Sequence, residues 1–119
     1  MSARITDLTV TPDTVSAAGN ENEITVSYQI SITNAGNANP VDVELNLHPD
    51  TPVFFVSADG NPVRTVIWQQ SFDEGVHTYA ERLFIVVQQP GAPSLTKLRM
   101  DILDATGIRD SKFVPLIYN

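Results

Sequence analysis

The two histidines are the side chains best suited to acid–base chemistry or metal binding, because imidazole titrates near neutral pH. His48 closes an alternating apolar and polar stretch beside Pro49 and Asp50, whereas His77 lies three residues after Glu74. Neither has a second histidine at helical spacing. We therefore interpret both as solvated residues at strand ends, and not as a catalytic base or a metal ligand.

The sequence also lacks the usual nucleophile and phosphate motifs. It contains no cysteine, which excludes a thiol nucleophile and a thiolate metal site. No serine stands in a Gly-x-Ser-x-Gly elbow, and the 6 glycines form no phosphate-binding loop. We expect a protein that is not an enzyme and that has no catalytic residue.

Acidic side chains offer one metal alternative, since Ca²⁺ binds about six to eight hard oxygens, often from several converging carboxylates. None of the acidic stretches has EF-hand spacing, and Asp and Asn also form ordinary turns by bonding nearby amides. We expect no cofactor and keep calcium as an open alternative. The candidate ligands are Asn20, Glu21, Asn22, Glu23, Asp101, Asp104 and Asp110.

The single tryptophan, Trp68, raises the question of carbohydrate binding. A sugar platform needs about two or three coplanar, exposed aromatic rings. Trp68 shares one side of its predicted strand with Val66, which equally suits a residue that anchors the core. We favour the core interpretation and keep a sugar-binding module as an alternative.

Length and charge limit the remaining classes. The chain has 119 residues, 14 of them acidic and 7 basic, for a net charge of −7, and this length fits one domain over residues 1–119. Such a chain lacks the basic face that nucleic acid or anionic lipid requires. Its longest apolar run, residues 83–87, is far below the roughly 20 residues of a membrane helix. We expect no nucleic-acid partner and no membrane insertion.

Strand periodicity indicates the fold class. In residues 24–33 every even position is apolar and every odd position is polar, which places all the apolar side chains on one face of a strand. Residues 41–48 repeat this alternation. Asn, Gly and Pro in residues 34–40 predict a turn between them. The turn is too short for a crossover helix, so these strands are antiparallel or lie on facing sheets.

Further strands follow, and no window shows a helical period. Seven or eight short strands in about a hundred residues predict an all-β, antiparallel sandwich. Pro115 assigns the last strand to a sheet edge, because proline cannot donate a ladder hydrogen bond. The further predicted strands are residues 5–10, 53–57, 63–69, 76–88, 97–102 and 112–118.

Turn motifs recur at defined places between these strands. Residues 33–37 form a Thr-Asn-Ala-Gly-Asn turn, and a Glu-Gly pair at Glu74 and Gly75 precedes the long strand. The other motifs are residues 8–10, Pro12, Gly19-Asn20, and residues 24–32, 41–47 and 99–104. In these motifs the chain resembles bacterial and archaeal immunoglobulin-like modules of the CARDB type, a cell-adhesion-related family. The resemblance implies an immunoglobulin-like β-sandwich with an adhesive or spacer role at a cell surface, and it carries over no catalytic residue.

Three segments place apolar side chains on both faces of a predicted strand. A two-layer sandwich does not explain this, because each sheet has only one covered face. The segments are residues 53–56, 83–87 and 113–118. Either loops cover these surfaces or another chain does, and we expect a protein partner or a second copy. The predicted contact residues are Leu83, Phe84, Ile85, Val86, Val87, Phe54, Phe55 and Trp68.

These features predict a non-catalytic structural or interaction module that acts by assembly or protein binding in a cell-surface or extracellular assembly. One alternative is a small virion decoration or appendage subunit, located in the virion or the cytoplasm if Met1 is the native start. Residues 1–7 lack the basic and apolar regions of a signal peptide, which favours that alternative. The other alternative is a carbohydrate-binding module that uses Trp68.

Overall fold

A computed structural model describes residues 2–18, 21–33 and 39–119. All the regular elements among these residues are strands. The predicted turns at Gly19-Asn20 and at residues 34–38 lie outside the described residues. The ten strands are β1 (Ser2–Thr11), β2 (Thr14–Val15), β3 (Asn22–Thr33), β4 (Asn39–Leu47), β5 (Val53–Val56), β6 (Pro62–Val63), β7 (Thr65–Phe72), β8 (Gly75–Val87), β9 (Ser94–Asp104) and β10 (Gly107–Tyr118).

The strands form two five-stranded sheets that pack face to face. The first sheet has the order β1-β3-β8-β5-β6, and the second has the order β2-β10-β9-β4-β7. Neighbouring strands are antiparallel, apart from the parallel pair of β2 and β10. The chain changes sheet at Pro12, between β1 and β2. This arrangement confirms the predicted all-β sandwich.

The strand count exceeds the predicted seven or eight because of two very short elements. β2 and β6 contain two residues each, which is too few for any periodic signal in the sequence. Each of the eight longer strands overlaps one predicted strand, but some bounds differ, since β10 begins at Gly107 and not at residue 112. Pro115 lies where β10 pairs only with β9, since β2 contacts β10 only at Ile117 and Tyr118. The last strand is therefore at the sheet edge over most of its length, including Pro115, although β2 covers its final residues.

Alternation along β3 and β4 builds the centre of the core. Ile24, Val26, Tyr28, Ile30 and Ile32 of β3 are buried, while the residues that alternate with them are partly exposed. The apolar residues of β4 face them from the second sheet and are also buried. Burying one such side chain contributes about 1.5–3 kcal/mol. These two rows hold a sandwich that has no disulfide.

Candidate functional site

The predicted contact segment at residues 83–87 lies in β8, between β3 and β5. Ile85 and Val87 face inward and are buried in the core, and Leu83 packs half-buried against the same core. Phe84 and Val86 face outward, and Phe84 is 44% exposed. The strand pleat thus splits the segment between two faces. The expectation that Ile85 and Val87 contact a partner is corrected, because both belong to the core.

The second predicted segment divides in the same way. Phe55 is buried in the core, so its predicted contact role is also corrected, whereas Phe54 is half-buried and pairs in register with Val86 on the outer face. The Arg64 guanidinium covers the Phe54 ring at 3.9 Å from its centroid. On the outer face of the first sheet, the exposed apolar surface of these two segments therefore consists of Phe84 and Val86, because Arg64 covers the neighbouring Phe54.

Trp68 packs at the margin of the core. It is half-buried in β7, and its ring centroid lies 6.4 Å from that of Tyr28. Its Nε1 donates to Oε1 of Gln70 at 3.4 Å, and the same oxygen accepts from the Tyr28 hydroxyl at 3.2 Å. Burial, aided by the charge of Glu81, raises the pKa of Tyr28. Trp68 therefore links β7 to β3 through ring packing and a shared acceptor.

An aromatic cluster continues from Trp68 into the sandwich. Tyr79 lies 5.7 Å from Tyr28 and 5.6 Å from Phe72, measured between ring centroids, and His77 stacks on Tyr79 at 6.4 Å. These rings pack against one another between the sheets. Among the described residues, the structure does not bring two or three exposed rings into one plane, which is what a sugar platform requires.

Each of the two histidines contacts the backbone of a different turn. Nδ1 of His48 accepts from the Asp50 amide at 3.2 Å, and Nε2 of His77 lies 2.7 Å from the Asp73 carbonyl. Both contacts are made to backbone close by in the chain. His48 is exposed, as the solvated strand-end interpretation expects, whereas His77 is half-buried and packs against Phe72 and Tyr79, which corrects that interpretation.

The candidate calcium ligands do not converge. Asn20 lies outside the described residues, and Glu23 pairs with Arg82 at 3.0 Å. Oδ2 of Asp110 accepts from the Ile5 amide at 2.7 Å. Across the described ranges, no group of three His, Cys, Asp or Glu side chains is placed to hold a metal ion.

Asp101 and Asp104 are held by different local contacts. Asp101 pairs with Arg99 at 2.9 Å. The hydroxyl and amide of Thr106, followed by the charge of Arg109, lower the pKa of Asp104 to about 2. Asp104 therefore caps the turn between β9 and β10 as a carboxylate.

The solvent-facing edge of β7, which we call the open edge, has features that the sequence analysis missed. Within the described residues, β4 lies on one side of β7 and no strand lies on the other. Thr65–Phe72 contains no charged residue and no proline, and its register with β4 is unbroken. Ile67 is 57% exposed on the outer face. The uncharged run was visible in the sequence, but its place at an edge was not.

Other edges carry features that hinder further pairing. β1 has a bulge between Ile5 and Asp7, and β6 is short and begins with Pro62. β10 has a bulge near its start as well as Pro115. β8 also lacks a second neighbour over residues 75–84 of the described chain, but it carries charged side chains there. Charges, prolines and bulges are the usual protection of sheet edges.

The part of the chain that the structure describes contains no helix with the length and apolar character needed to cross a membrane.

Comparison with known proteins gives one sequence match and several structural ones. No family model matches the chain. The chain is 32% identical over 73 residues to a leucine–tRNA ligase from Rhizobium etli (strain CIAT 652), a match that covers 61% of this chain and 8% of that protein.

Two solved structures have a similar fold. One is a glycosyl hydrolase family 2 member from Bacteroides cellulosilyticus DSM 14838, with a TM-score of 0.62 and 13% identity over 95% of this chain and 15% of that one. The other is the alkylpurine DNA glycosylase AlkC from Pseudomonas fluorescens, bound to DNA containing an abasic site analog. Its TM-score is 0.60 at 13% identity, over 99% of this chain and 30% of that one.

These matches concern the fold. The chain spans less than a third of the ligase and of both solved structures, and the structural identities are too low to carry a function between proteins. The topology and these matches support an immunoglobulin-like β-sandwich, and they do not single out the CARDB type. The chain has the fold of a small module that also occurs within much larger proteins.

Proposed function

We propose that the chain is a non-catalytic module that assembles with a second copy of itself through the open edge. The observation that carries this proposal is that β7 combines an unpaired edge with an uncharged, proline-free sequence and an unbroken register. An edge of this kind presents free N–H and C=O groups in the order that another strand requires.

Charge favours a second copy at this edge. Each chain carries a net charge of −7, so two copies repel one another over most of their surfaces. The eight residues of β7 add no charge to that repulsion. Two copies therefore approach with less electrostatic cost along β7 than along β1, β8 or β10, all of which carry charged side chains.

The pleat of β7 permits a symmetric pairing. An antiparallel pair centred on Ile67 places that residue opposite its own copy on the outer face, and Thr65 opposite Gln69. On the inner face it places Val66 opposite Trp68 of the copy. Residues that are half-buried in one chain thereby gain cover, and both sheets keep their inward and outward faces.

The test measures mass in solution by light scattering over a range of concentrations. We expect the mass to rise from the 13.0 kDa of one chain to twice that value. Ile67→Lys should keep the protein monomeric, because it places two ammonium groups opposite each other at the centre of the pair. Ile108→Lys is the matched control, since Ile108 is 60% exposed on β10, and it should dimerise like the parent. A parent chain that stays monomeric at every concentration would contradict assembly through a second copy.

The non-catalytic part of the proposal is supported by the contacts of the titratable residues. His48, His77, Asp104 and Asp110 each bond to backbone or to neighbouring side chains that define turns and strand contacts. An assay panel against simple ester, phosphate and glycoside substrates tests this part, and turnover that survives repurification of the protein would contradict it.

The setting that we propose is one module of a longer cell-surface or extracellular protein, as in the CARDB type. The support is that the fold fills only 15% and 30% of the two larger chains described above. Genes for capsid proteins beside this reading frame would instead favour the virion subunit. The alternative of a sugar-binding module has less support, since Trp68 packs on Tyr28 at the core margin.

A further inference from the structure

A groove of about 370 Å³ lies on the outer face of the second sheet, at the end where β4 stops. It overlaps the open edge only at Thr65, the first residue of β7. We call it the cationic groove. Its polar and aromatic lining includes Asn46, His48, Arg64, Lys97, Arg99 and Phe113.

The groove concentrates positive charge on an acidic protein. Arg64, Lys97 and Arg99 line it, and they are three of the 7 basic residues in the chain. Among the described residues, only Arg99 of these three forms an ion pair. Arg64 donates instead to main-chain carbonyls, among them that of His48 at 2.9 Å. Two cations thus share a concave surface without a carboxylate partner, and their repulsion is relieved when an anion binds.

A buried carboxylate fixes the third cation. Asp101 lies on the outer face of the sheet yet is only 2% exposed. Its Oδ2 accepts from Nε of Arg99 at 2.9 Å and from Nδ2 of Asn46 at 3.1 Å, and its Oδ1 accepts from the Ser111 hydroxyl. Within the described residues no protein acceptor bonds to the two terminal nitrogens of Arg99, so these remain able to donate to a ligand.

The strand register sets the spacing of the charged groups. Lys97 and Arg99 lie on the same face of β9, about 7 Å apart along the strand. Phe113 stands opposite Arg99, and Asn46 stands opposite Arg99 on the other side. The Phe113 ring is 56% exposed, and Nζ of Lys97 lies 5.6 Å from its centroid. An anionic group between the cations would therefore place its attached carbon skeleton beside an aromatic ring.

We propose that the cationic groove binds a small molecule that bears a multiply charged oxyanion, a phosphate or a sulphate, on an organic body. Lys97 and the terminal nitrogens of Arg99 bind the oxyanion through charge-assisted hydrogen bonds, while Arg64, whose guanidinium bonds main-chain carbonyls and stacks on Phe54, contributes its charge at the rim. Phe113 contacts the organic body. Asp101 acts as a positioning residue, because it holds Arg99 without touching the ligand.

The experiment titrates the protein with inorganic phosphate, inorganic sulphate, glucose 6-phosphate and glucose at constant ionic strength, and follows backbone amide shifts by NMR. Saturable shifts at residues 46–48, 64–65, 97–99 and 113 with the charged probes, and none with glucose, would support the proposal. A lower dissociation constant for glucose 6-phosphate than for phosphate would support the contact with Phe113, and equal constants would overturn that contact. Saturation by glucose alone, or no saturable shift with any probe, would overturn the site.

Single-residue variants distinguish a specific binding site from non-specific electrostatic attraction. Lys97→Gln should weaken phosphate binding by about tenfold, because it removes one charge-assisted contact. Lys112→Gln is the matched control, since it removes the same charge from an exposed position outside the groove. Equal weakening by both variants would overturn the proposal. Urea unfolding of both variants verifies that each is folded, and light scattering keeps this result separate from dimer formation.

Discussion

β1 and β7 both lie at a sheet edge, but they meet solvent differently. β1 carries Arg4 and Asp7, and its register shifts between Ile5 and Asp7. At that shift the Ile5 amide donates to Asp110 of β10, a strand of the other sheet. This hydrogen bond links β1 to the second sheet, and the shift in register interrupts the regular row of backbone groups to which another strand could pair. β7 has no charge, no proline and no bulge.

The difference teaches where an acidic sandwich can associate. The free N–H and C=O groups of any edge strand can pair with another strand, and charges, prolines and bulges hinder this pairing. The side of the molecule whose edge lacks all three is therefore the side expected to pair. The side of β1 and β10 is closed by the contact between Asp110 and the Ile5 amide, whereas β7 itself carries no carboxylate. We expect the two sides to differ in their contribution to the free energy of unfolding, in the rate of amide exchange and in the pH dependence of that exchange.

The largest effect should come from the inward anchor of β7. Phe72 is buried and packs against Tyr79 and His77. Phe72→Ala should lower the free energy of unfolding by about 3–5 kcal/mol, because it leaves a cavity and removes most of the packing of that strand end. Urea denaturation measures the loss. Gln69→Ala on the exposed face is the control, and a Phe72→Ala loss no larger than that of the control would contradict this anchoring role.

The next effect should come from the tie that closes the side of β1. Asp110→Ala should lower the free energy of unfolding by about 1–3 kcal/mol, since the Ile5 amide loses its acceptor in a partly buried place. Asp110→Asn keeps an acceptor oxygen and should recover part of the loss. The same denaturation experiment measures both. Equal losses from the two variants would show that charge, and not the hydrogen bond, matters at this position.

A smaller effect should appear in amide exchange. If two copies pair at β7, raising the protein concentration should slow exchange of amides in Thr65–Phe72 by about tenfold and leave those in Ser2–Thr11 unchanged. Hydrogen–deuterium exchange followed by NMR measures both strands in one sample. If exchange at β7 does not depend on protein concentration, or if exchange at β1 slows equally, the result would contradict pairing at β7.

The smallest effect should be the acid response of the turn between β9 and β10. Contacts with Thr106 and Arg109 lower the pKa of Asp104 from 3.8 to about 2. A lowered carboxylate pKa stabilises the folded turn above the unfolded value, and this stabilisation is lost as the pH falls from about 4 through about 2. The protection factors of amides in the turn, taken relative to the intrinsic exchange rate at each pH, should fall over that window, while β7, which has no titratable group, serves as the internal reference. Asp104→Asn should remove the pH dependence, and an unchanged profile would contradict it.

Much of the fold could be predicted because one face of each central strand is buried. Residues 24–33 alternate without exception, and a one-residue error in register would expose all of their apolar side chains. The same logic fails for residues 83–87. Phe84 and Val86 are apolar yet face outward, because the pleat points them away from the core that buries Ile85 and Val87, and Phe54 packs beside Val86. An apolar run therefore did not correspond to a single contact surface.

The two candidate sites depend on long-range pairing that local sequence does not encode. The edge position of β7 follows from the order of five strands, and the sequence of Thr65–Phe72 cannot reveal which neighbour is missing. Lys97 and Arg99 meet Arg64 only through the pairings of β9 with β4 and of β4 with β7. Asp101 follows a polar alternation that predicts exposure, but contacts with Arg99 and Asn46 bury it.

The parallel pair of β2 and β10 has a consequence for mechanical load. Backbone hydrogen bonds flank this pair on both sides: the Ile117 amide donates to the Asp13 carbonyl at 2.8 Å, the Ala17 amide to that of Asn119 at 2.8 Å, and the Asn119 amide to that of Val15 at 3.1 Å. When tension slides two parallel strands past each other, such bonds bear the force together and do not open one after another. Because β1 precedes this pair in the chain, tension between the two chain ends would load the short clamp once β1 has separated from β3.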